Sequence, residues 1–191
     1  MALSPMMKYY LEVKEKYKDA ILMFRLGDFY EMFFEDAKLC SEVLDLTLTG
    51  RDCGLEERAP MCGVPYHAVD GYISKLIGAG YKVAICEQLS APQARGLVER
   101  DVVRVITPGT VIEDDILDDK KNNYLACLVM NEKEFSLAWM DVSTGEFNVM
   151  QSEYGDFAAI EDMLTTVAPA EIIANKIAVE KVRELLDRRK S

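Results

Sequence analysis

The stretch Arg25-Leu26-Gly27-Asp28-Phe29-Tyr30-Glu31-Met32-Phe33 joins an apolar run, Ala20 to Leu26, to a segment with helical spacing. Asp28 followed three residues later by Glu31 has the form of a capping box, in which the two side chains satisfy the first free N–H groups of a helix. Glu31, Glu35, Lys38 and Glu42 recur at helical spacing and make a solvated stripe, while Phe33, Ala37, Cys40 and Leu44 make a buried one. The residues taken alone predict a strand over Ala20–Leu26, then one helix from Asp28 to Leu44, the strongest of the chain. Within such a helix Phe29 sits over Phe33 on the core side, and Glu31 is a cap.

Working outward, Ser4-Pro5 reads as an N-cap followed by proline at the first helical position, with Met7, Tyr10, Leu11 and Val13 on one face of a short helix. A short strand is expected at Leu46–Leu48, ending in a loop at Gly50–Gly54. Pro60, Gly63 and Pro65 punctuate a rigid loop, and a second helix over Tyr66–Ile77 is stopped by Gly78 and Gly80. Apolar runs at Tyr81–Cys86 and Val102–Ile106 read as strands. Strands alternating with helices indicate an α/β layer structure. The charged segment from Glu113 to Asn123 reads as a surface linker. Beyond it, Tyr124–Met130, Phe135–Val142 and Glu146–Met150 form three strands with hairpin-length connections. A helix at Phe157–Val167, a strand at Glu171–Ala174 and a last helix at Val179–Arg188 follow. The expected division is therefore 1–112, a linker at 113–123, and 124–191. The order β-β-β-α-β-α resembles the start of a ribonuclease-H-like domain, which normally continues with another strand, so this second part reads as truncated.

The totals narrow the class. No apolar run approaches a membrane span, and Met1 to Lys18 holds no apolar core with a small-residue cleavage site, which makes the cytosol the default compartment. Cys40, Cys53, Cys62, Cys86 and Cys127 are odd in number, form no Cys-x-x-Cys pair and accompany a single histidine, His67. Neither a zinc site nor a disulfide framework is expected. The net charge is -11, which opposes nucleic-acid binding in general. The acidity is uneven: residues 111–191 hold 9 Lys and Arg against 17 Asp and Glu, whereas residues 1–110 hold 13 against 16.

Beyond these physical readings, Gly27-Asp28-Phe29-Tyr30-Glu31 after an apolar strand resembles the mismatch-recognition motif of the MutS family of DNA repair proteins. The similarity continues through Leu44-Asp45-Leu46-Thr47-Leu48-Thr49, Pro60 to Ala68, Val83 to Gln88, Val98-Glu99-Arg100, Val102-Val103-Arg104 and Thr107-Pro108-Gly109-Thr110. It is looser at Asp141 to Gly145 and at Pro169-Ala170-Glu171. The resemblance implies a mixed-sheet mismatch-recognition domain followed by a truncated ribonuclease-H-like connector domain. It implies that Phe29 lies in the turn before the helix and is aimed at DNA, and that Glu31 hydrogen-bonds a displaced base. A carboxylate accepts from a thymine N–H; facing a purine N7 it must itself carry the proton, because two acceptors do not pair.

The resemblance also brings the loop carrying Met61, Gly63, Val64, Pro65 and His67 to the same minor groove. Arg51, Arg100 and Arg104 are candidate phosphate contacts on chemical grounds. Its implied partners are mismatched double-stranded DNA, a second copy of the full-length protein and a MutL-type repair partner, with no membrane. No Gly-x-x-x-x-Gly-Lys-Ser/Thr motif occurs, so no P-loop and no nucleotide hydrolysis are expected of these residues; ATP and Mg²⁺ would belong to a C-terminal ATPase domain of a longer chain. Two other classes compete: a protein-interaction module acting through the acidic residues 111–191, and a small cytosolic enzyme using Cys62 and His67. Asp141 and Glu146, the carboxylates a two-metal nuclease would need, read instead as the two ends of a hairpin turn.

Overall fold

The computed structural model describes residues 2–90, 98–112, 116–117, 121–153 and 157–188. The chain divides into two compact units, Met1–Thr107 and Pro108–Ser191. Of the charged segment expected as a linker, residues 113–115 and 118–120 lie outside the described residues.

The first unit is built on a six-stranded sheet. Its elements are α1 (Pro5–Lys16), β1 (Ala20–Leu26), β2 (Phe29–Phe33), α2 (Phe34–Val43), β3 (Thr49–Arg51), β4 (Ala59–Pro65), a 3-10 turn at Tyr66–Ala68, α3 (Val69–Gly78), β5 (Lys82–Gln88) and β6 (Arg100–Ile106). The strand order is β3-β4-β2-β1-β5-β6. Only β1 and β5 run parallel; every other neighbouring pair is antiparallel, so the sheet is mixed.

Here the structure corrects the helix expected over Asp28–Leu44. Its first five residues after Asp28 form β2, and the helix begins only at Phe34, which takes φ 54°. A left-handed backbone at an aromatic residue costs roughly 1–2 kcal/mol and breaks helical continuity at that point. Asp28 and Glu31 therefore form no capping box. The strand expected at Leu46–Leu48 lies instead at Thr49–Arg51, and the expected rigid loop around Pro60 to Pro65 is strand β4.

The two sheet faces are covered differently. Met7, Tyr10 and Val13 of α1 pack against Leu22, Phe24, Phe33, Ala84 and Cys86 on one face. Tyr10 meets Phe33 and Phe24 edge-on, with ring centroids 4.9 and 5.4 Å apart. On the other face α2 follows β2 and β4: Ala37 and Cys40 are buried, and the Cys62 thiol donates to the Ala37 carbonyl at 3.4 Å. One buried ion pair ties the layers together. Asp36 of α2 accepts from Lys14 Nζ of α1 at 2.9 Å and from the backbone N–H of Leu22 in β1 at 2.9 Å.

The second unit has a four-stranded sheet of order β10-β7-β8-β9, formed by β7 (Tyr124–Met130), β8 (Glu134–Asp141), β9 (Phe147–Glu153) and β10 (Glu171–Ala174). β7, β8 and β9 are antiparallel neighbours, and β10 joins β7 in parallel after α4 (Phe157–Val167). Ala126, Leu128, Met130, Phe135 and Leu137 bury one face with Ile160 of α4 and Ala178 of α5 (Lys176–Arg188). Val129, Phe147, Val149 and Ile173 stand exposed on the opposite face. Asp141 anchors the β8–β9 turn: it accepts from Ser143 Oγ at 2.6 Å and from the N–H groups of Asn123, Ser143 and Thr144.

Two predictions follow from these anchors. Removing one partner of a mostly buried ion pair leaves an uncompensated charge, so Asp36→Ala should destabilise the first unit by about 3 kcal/mol in chemical denaturation. Burial alone would raise the Asp141 carboxyl, but its hydrogen bonds from Ser143, Asn123 and Thr144 outweigh burial and hold it below the usual carboxylate range. Its contribution is then fully present above the unfolded carboxylate value of about 3.9 and is lost as pH falls through the lower folded value. The stability gap between the parent chain and Asp141→Asn should therefore narrow on acidification below about pH 4, measured by denaturation at a series of pH values.

Candidate nucleic-acid interface

β1 and β2 are joined by a two-residue turn, Gly27-Asp28, with Leu26 paired to Phe29. Gly27 takes φ 63°, the conformation a type II′ hairpin requires at its first central position and the one glycine adopts without strain. The turn is fastened on both sides. Gly27 N–H donates to Gln88 Oε1 at 2.8 Å, and Tyr66 N–H donates to the Asp28 carbonyl at 2.9 Å.

Strand alternation sorts the side chains that follow. Tyr30 and Met32 point to the α2 face with Val64 and Cys62, their partners on β4, and all four are buried. Phe29, Glu31 and Phe33 point the other way with their own partners Pro65, Gly63 and Met61. Phe33 lies under α1, whereas Phe29, at the hairpin end, is 47% exposed. Glu31 lies between them and is ion-paired to Arg51 of β3 through Oε2 and Nη1. Gly63 makes room beside it: a Cβ there would stand 3.2 Å from the Tyr30 carbonyl oxygen and 3.4 Å from Glu31 Cγ.

Behind Phe29, on the opposite face, a polar cluster braces the hairpin. Tyr30 donates its hydroxyl hydrogen bond to Glu87 Oε1, and Arg25 Nη1 lies 3.7 Å from Glu87 Oε2. The Arg25 guanidinium also lies over the Tyr66 ring at 3.9 Å and near the Tyr30 ring at 5.4 Å. Burial, the hydrogen bond to Glu87 and the Glu87 charge push the Tyr30 phenol up to about 12. Sequence reasoning left Arg25, Tyr30, Glu87 and Gln88 out of the site. The signal that could have found them is the two-residue alternation around Phe29, which assigns Arg25 and Tyr30 to a common face once β2 is read as a strand.

The remaining candidates separate. Met61, Gly63 and Pro65 share the face of Phe29 and Glu31, but Val64 points away and is fully buried. His67 is exposed in the 3-10 turn, edge-on to Tyr66 at 5.7 Å. Arg100 is buried: Nε donates to the Arg25 carbonyl at 2.9 Å, Nη1 to the Val98 carbonyl at 3.0 Å, and the guanidinium lies over the Phe24 ring at 5.2 Å. Its donors serve the fold. Arg104 pairs with Ile85 across β5 and β6, which puts it on the face opposite Phe29. The competing enzyme reading, which would pair Cys62 with His67, finds no support in the geometry: Cys62 is buried under α2 while His67 faces solvent. Among the described residues no group of three or more His, Cys, Asp and Glu side chains converges to hold a metal ion, and no helix is long and apolar enough to cross a membrane.

Two family models match in tandem, MutS domain I over residues 4–115 and MutS domain II over residues 123–190. The class is therefore a pair of MutS domains in the order I, II. The DNA mismatch repair protein MutS of Acetivibrio thermocellus is 56% identical over 176 residues, covering 91% of this chain and 20% of that protein. The DNA mismatch repair protein MutS of Clostridium botulinum strain 657 is 56% identical over 174 residues, covering 91% and 19%. That of the Loch Maree strain is 55% identical over the same length. The chain belongs to the MutS family, and it spans about a fifth of the length of these curated relatives.

The brace behind Phe29 is testable. NMR of ring-labelled tyrosine should show Tyr30 ionising at about 12, and Glu87→Gln should lower that value by removing a nearby negative charge. A Tyr30 titration unmoved by Glu87→Gln would show that the two side chains do not meet in solution.

Proposed function

We propose that this chain binds mismatched double-stranded DNA, with Phe29 as a wedge entering the minor groove and Glu31 as the hydrogen-bond partner of the displaced base. The observation that carries the reading is the exposed Phe29 ring, paired on both sides at the end of a strand whose Tyr30, Met32 and Phe33 are buried, beside a carboxylate on the same face. An aromatic wedge unstacks a base step and kinks the duplex. Unstacking costs a few kcal/mol, and less where the pair is already broken. Stacking on the ring returns roughly 1–3 kcal/mol per base. A sound step resists the wedge and a mispaired one yields, so one ring serves many mismatches without reading a fixed sequence.

The neighbours of Phe29 suit close approach to a groove. Gly63 and Pro65 present little side-chain bulk beside it, Met61 continues the same face, and His67 is exposed on the adjoining turn. Arg51 reaches this face through its ion pair with Glu31, in position for an electrostatic contribution. Residues 1–112 are the recognition domain and residues 124–191 the beginning of a connector joined through 113–123. A ribonuclease-H-like identity for the connector is supported by its strand order, with β10 returning parallel to β7 after α4. In the longer protein the same assignment brings an ATP- and Mg²⁺-dependent ATPase domain, a homodimer, a MutL-type partner and a cytoplasmic, nucleoid-associated setting. A second reading, protein docking through residues 111–191, draws on the exposed Val129, Phe147, Val149 and Ile173.

Mutation separates the two. Phe29→Ala should reduce the preference for mismatched over matched duplex by about 5- to 150-fold, the equivalent of one stacked base, and leave partner docking intact. Fluorescence anisotropy on both duplexes, with this chain and with a version extended toward the relatives' length, measures it. An undiminished preference in Phe29→Ala sinks the wedge.

A further inference from the structure

One oxygen of the carboxylate assigned to the displaced base is already engaged. Glu31 keeps only 14% of its side-chain exposure, and its Oε2 is bound by Nη1 of Arg51, whose own side chain stays 38% exposed. The two residues come from different strands: Glu31 from β2, and Arg51 from the three-residue edge strand β3, with β4 between them. Arg51 must extend across β4 to reach Glu31. Gly63, the β4 residue paired with Glu31, offers no side chain to obstruct that approach.

We infer that Arg51 is a positioning residue that competes with the displaced base for Glu31. The inference rests on the reading of Glu31 given above. An ionised carboxylate only accepts hydrogen bonds and a guanidinium only donates them, so a base N–H aimed at Oε2 meets an oxygen that Arg51 already holds. A displaced thymine or guanine brings its pairing-edge N–H to Glu31; in a stacked Watson–Crick pair that N–H is already taken by the partner base. On a sound duplex the ion pair therefore persists, and the carboxylate meets the phosphates with its charge compensated. On a mismatch the base N–H replaces one arginine N–H. Arg51 thus sets a threshold: only a base whose hydrogen bond matches the one it displaces gains from Glu31. This adds an electrostatic criterion to the mechanical one applied by Phe29.

The ion pair itself is tested without DNA. In ¹⁵N-arginine NMR of this 191-residue chain, the Arg51 guanidinium should show slowed exchange that Glu31→Gln abolishes; identical Arg51 signals in the two proteins overturn the inference. The competition is tested by anisotropy on matched and G·T-mismatched duplexes, with Arg51→Gln introduced into the parent and into Glu31→Gln. Freeing Glu31 should raise the mismatched-to-matched affinity ratio by about threefold to fivefold, the range of a partly exposed ion pair, while matched-duplex affinity falls. In the Glu31→Gln background Arg51→Gln should leave the ratio unchanged. If Arg51→Gln lowers both affinities by one common factor, Arg51 is a plain phosphate contact and the inference fails while the mismatch reading stands. If the parent chain shows no mismatch preference, the mismatch reading fails and the inference falls with it.

Discussion

Hydrogen bonding of β2 along both of its edges is the constraint on which the candidate site depends. The strand is five residues long; β4 pairs with all five, and β1 pairs with Phe29, Tyr30 and Glu31 on the other side. This pairing imposes a strict two-residue alternation on Phe29, Tyr30, Glu31, Met32 and Phe33, since a slip of one residue would turn the whole set over. A helix through the same residues would rotate Phe29 and Glu31 roughly 200° apart at 3.6 residues per turn. The sheet instead puts them on one face, two positions apart.

The same alternation divides labour between the faces. On the face that α2 covers, Arg25, Tyr30, Tyr66 and Glu87 hold one another in a cluster of hydrogen bonds and ring contacts. On the α1 face lie Phe29, Glu31, Gly63 and Pro65, with Arg51 reaching in from the sheet edge. Chemically similar residues thereby have different duties according to direction: Arg51 faces the candidate groove, Arg100 is enclosed by backbone carbonyls, and Arg104 points to the far side. The net charge of -11 does not describe this local surface, because the acidity lies mostly in residues 111–191.

Much of the architecture was legible in the residues. The α/β class, β1 over Ala20–Leu26, β7 over Tyr124–Met130, α4 over Phe157–Val167 and β10 over Glu171–Ala174 were read from periodicity and turn residues with the bounds the structure shows. The segment around Phe29 was misread as helix because Asp28, Glu31 and the acidic stripe beyond are compatible with either period, and five residues are too few to decide between them. Strand β4 was hidden by Pro60, Gly63 and Pro65, residues that punctuate loops; β4 tolerates them because its pairing with β2 and β3 is fixed by neighbours distant in sequence. Of the candidate site, Phe29 and Glu31 were named through family resemblance. The Arg51–Glu31 ion pair and the Tyr30–Glu87 brace join residues 20 and 57 positions apart, a separation that no local pattern encodes.

The fastened turn at Gly27-Asp28 has a mechanical consequence. Its two backbone anchors, to Gln88 and from Tyr66, come from different elements, and the strand behind it runs through the sheet interior. A ring on such a mount recoils little under load. In the proposed wedge role, nearly all of the deformation would fall on the nucleic acid, and the compliance sampled would be that of the base step alone. A softer mount would yield by a similar amount on sound and damaged steps and blur the difference between them.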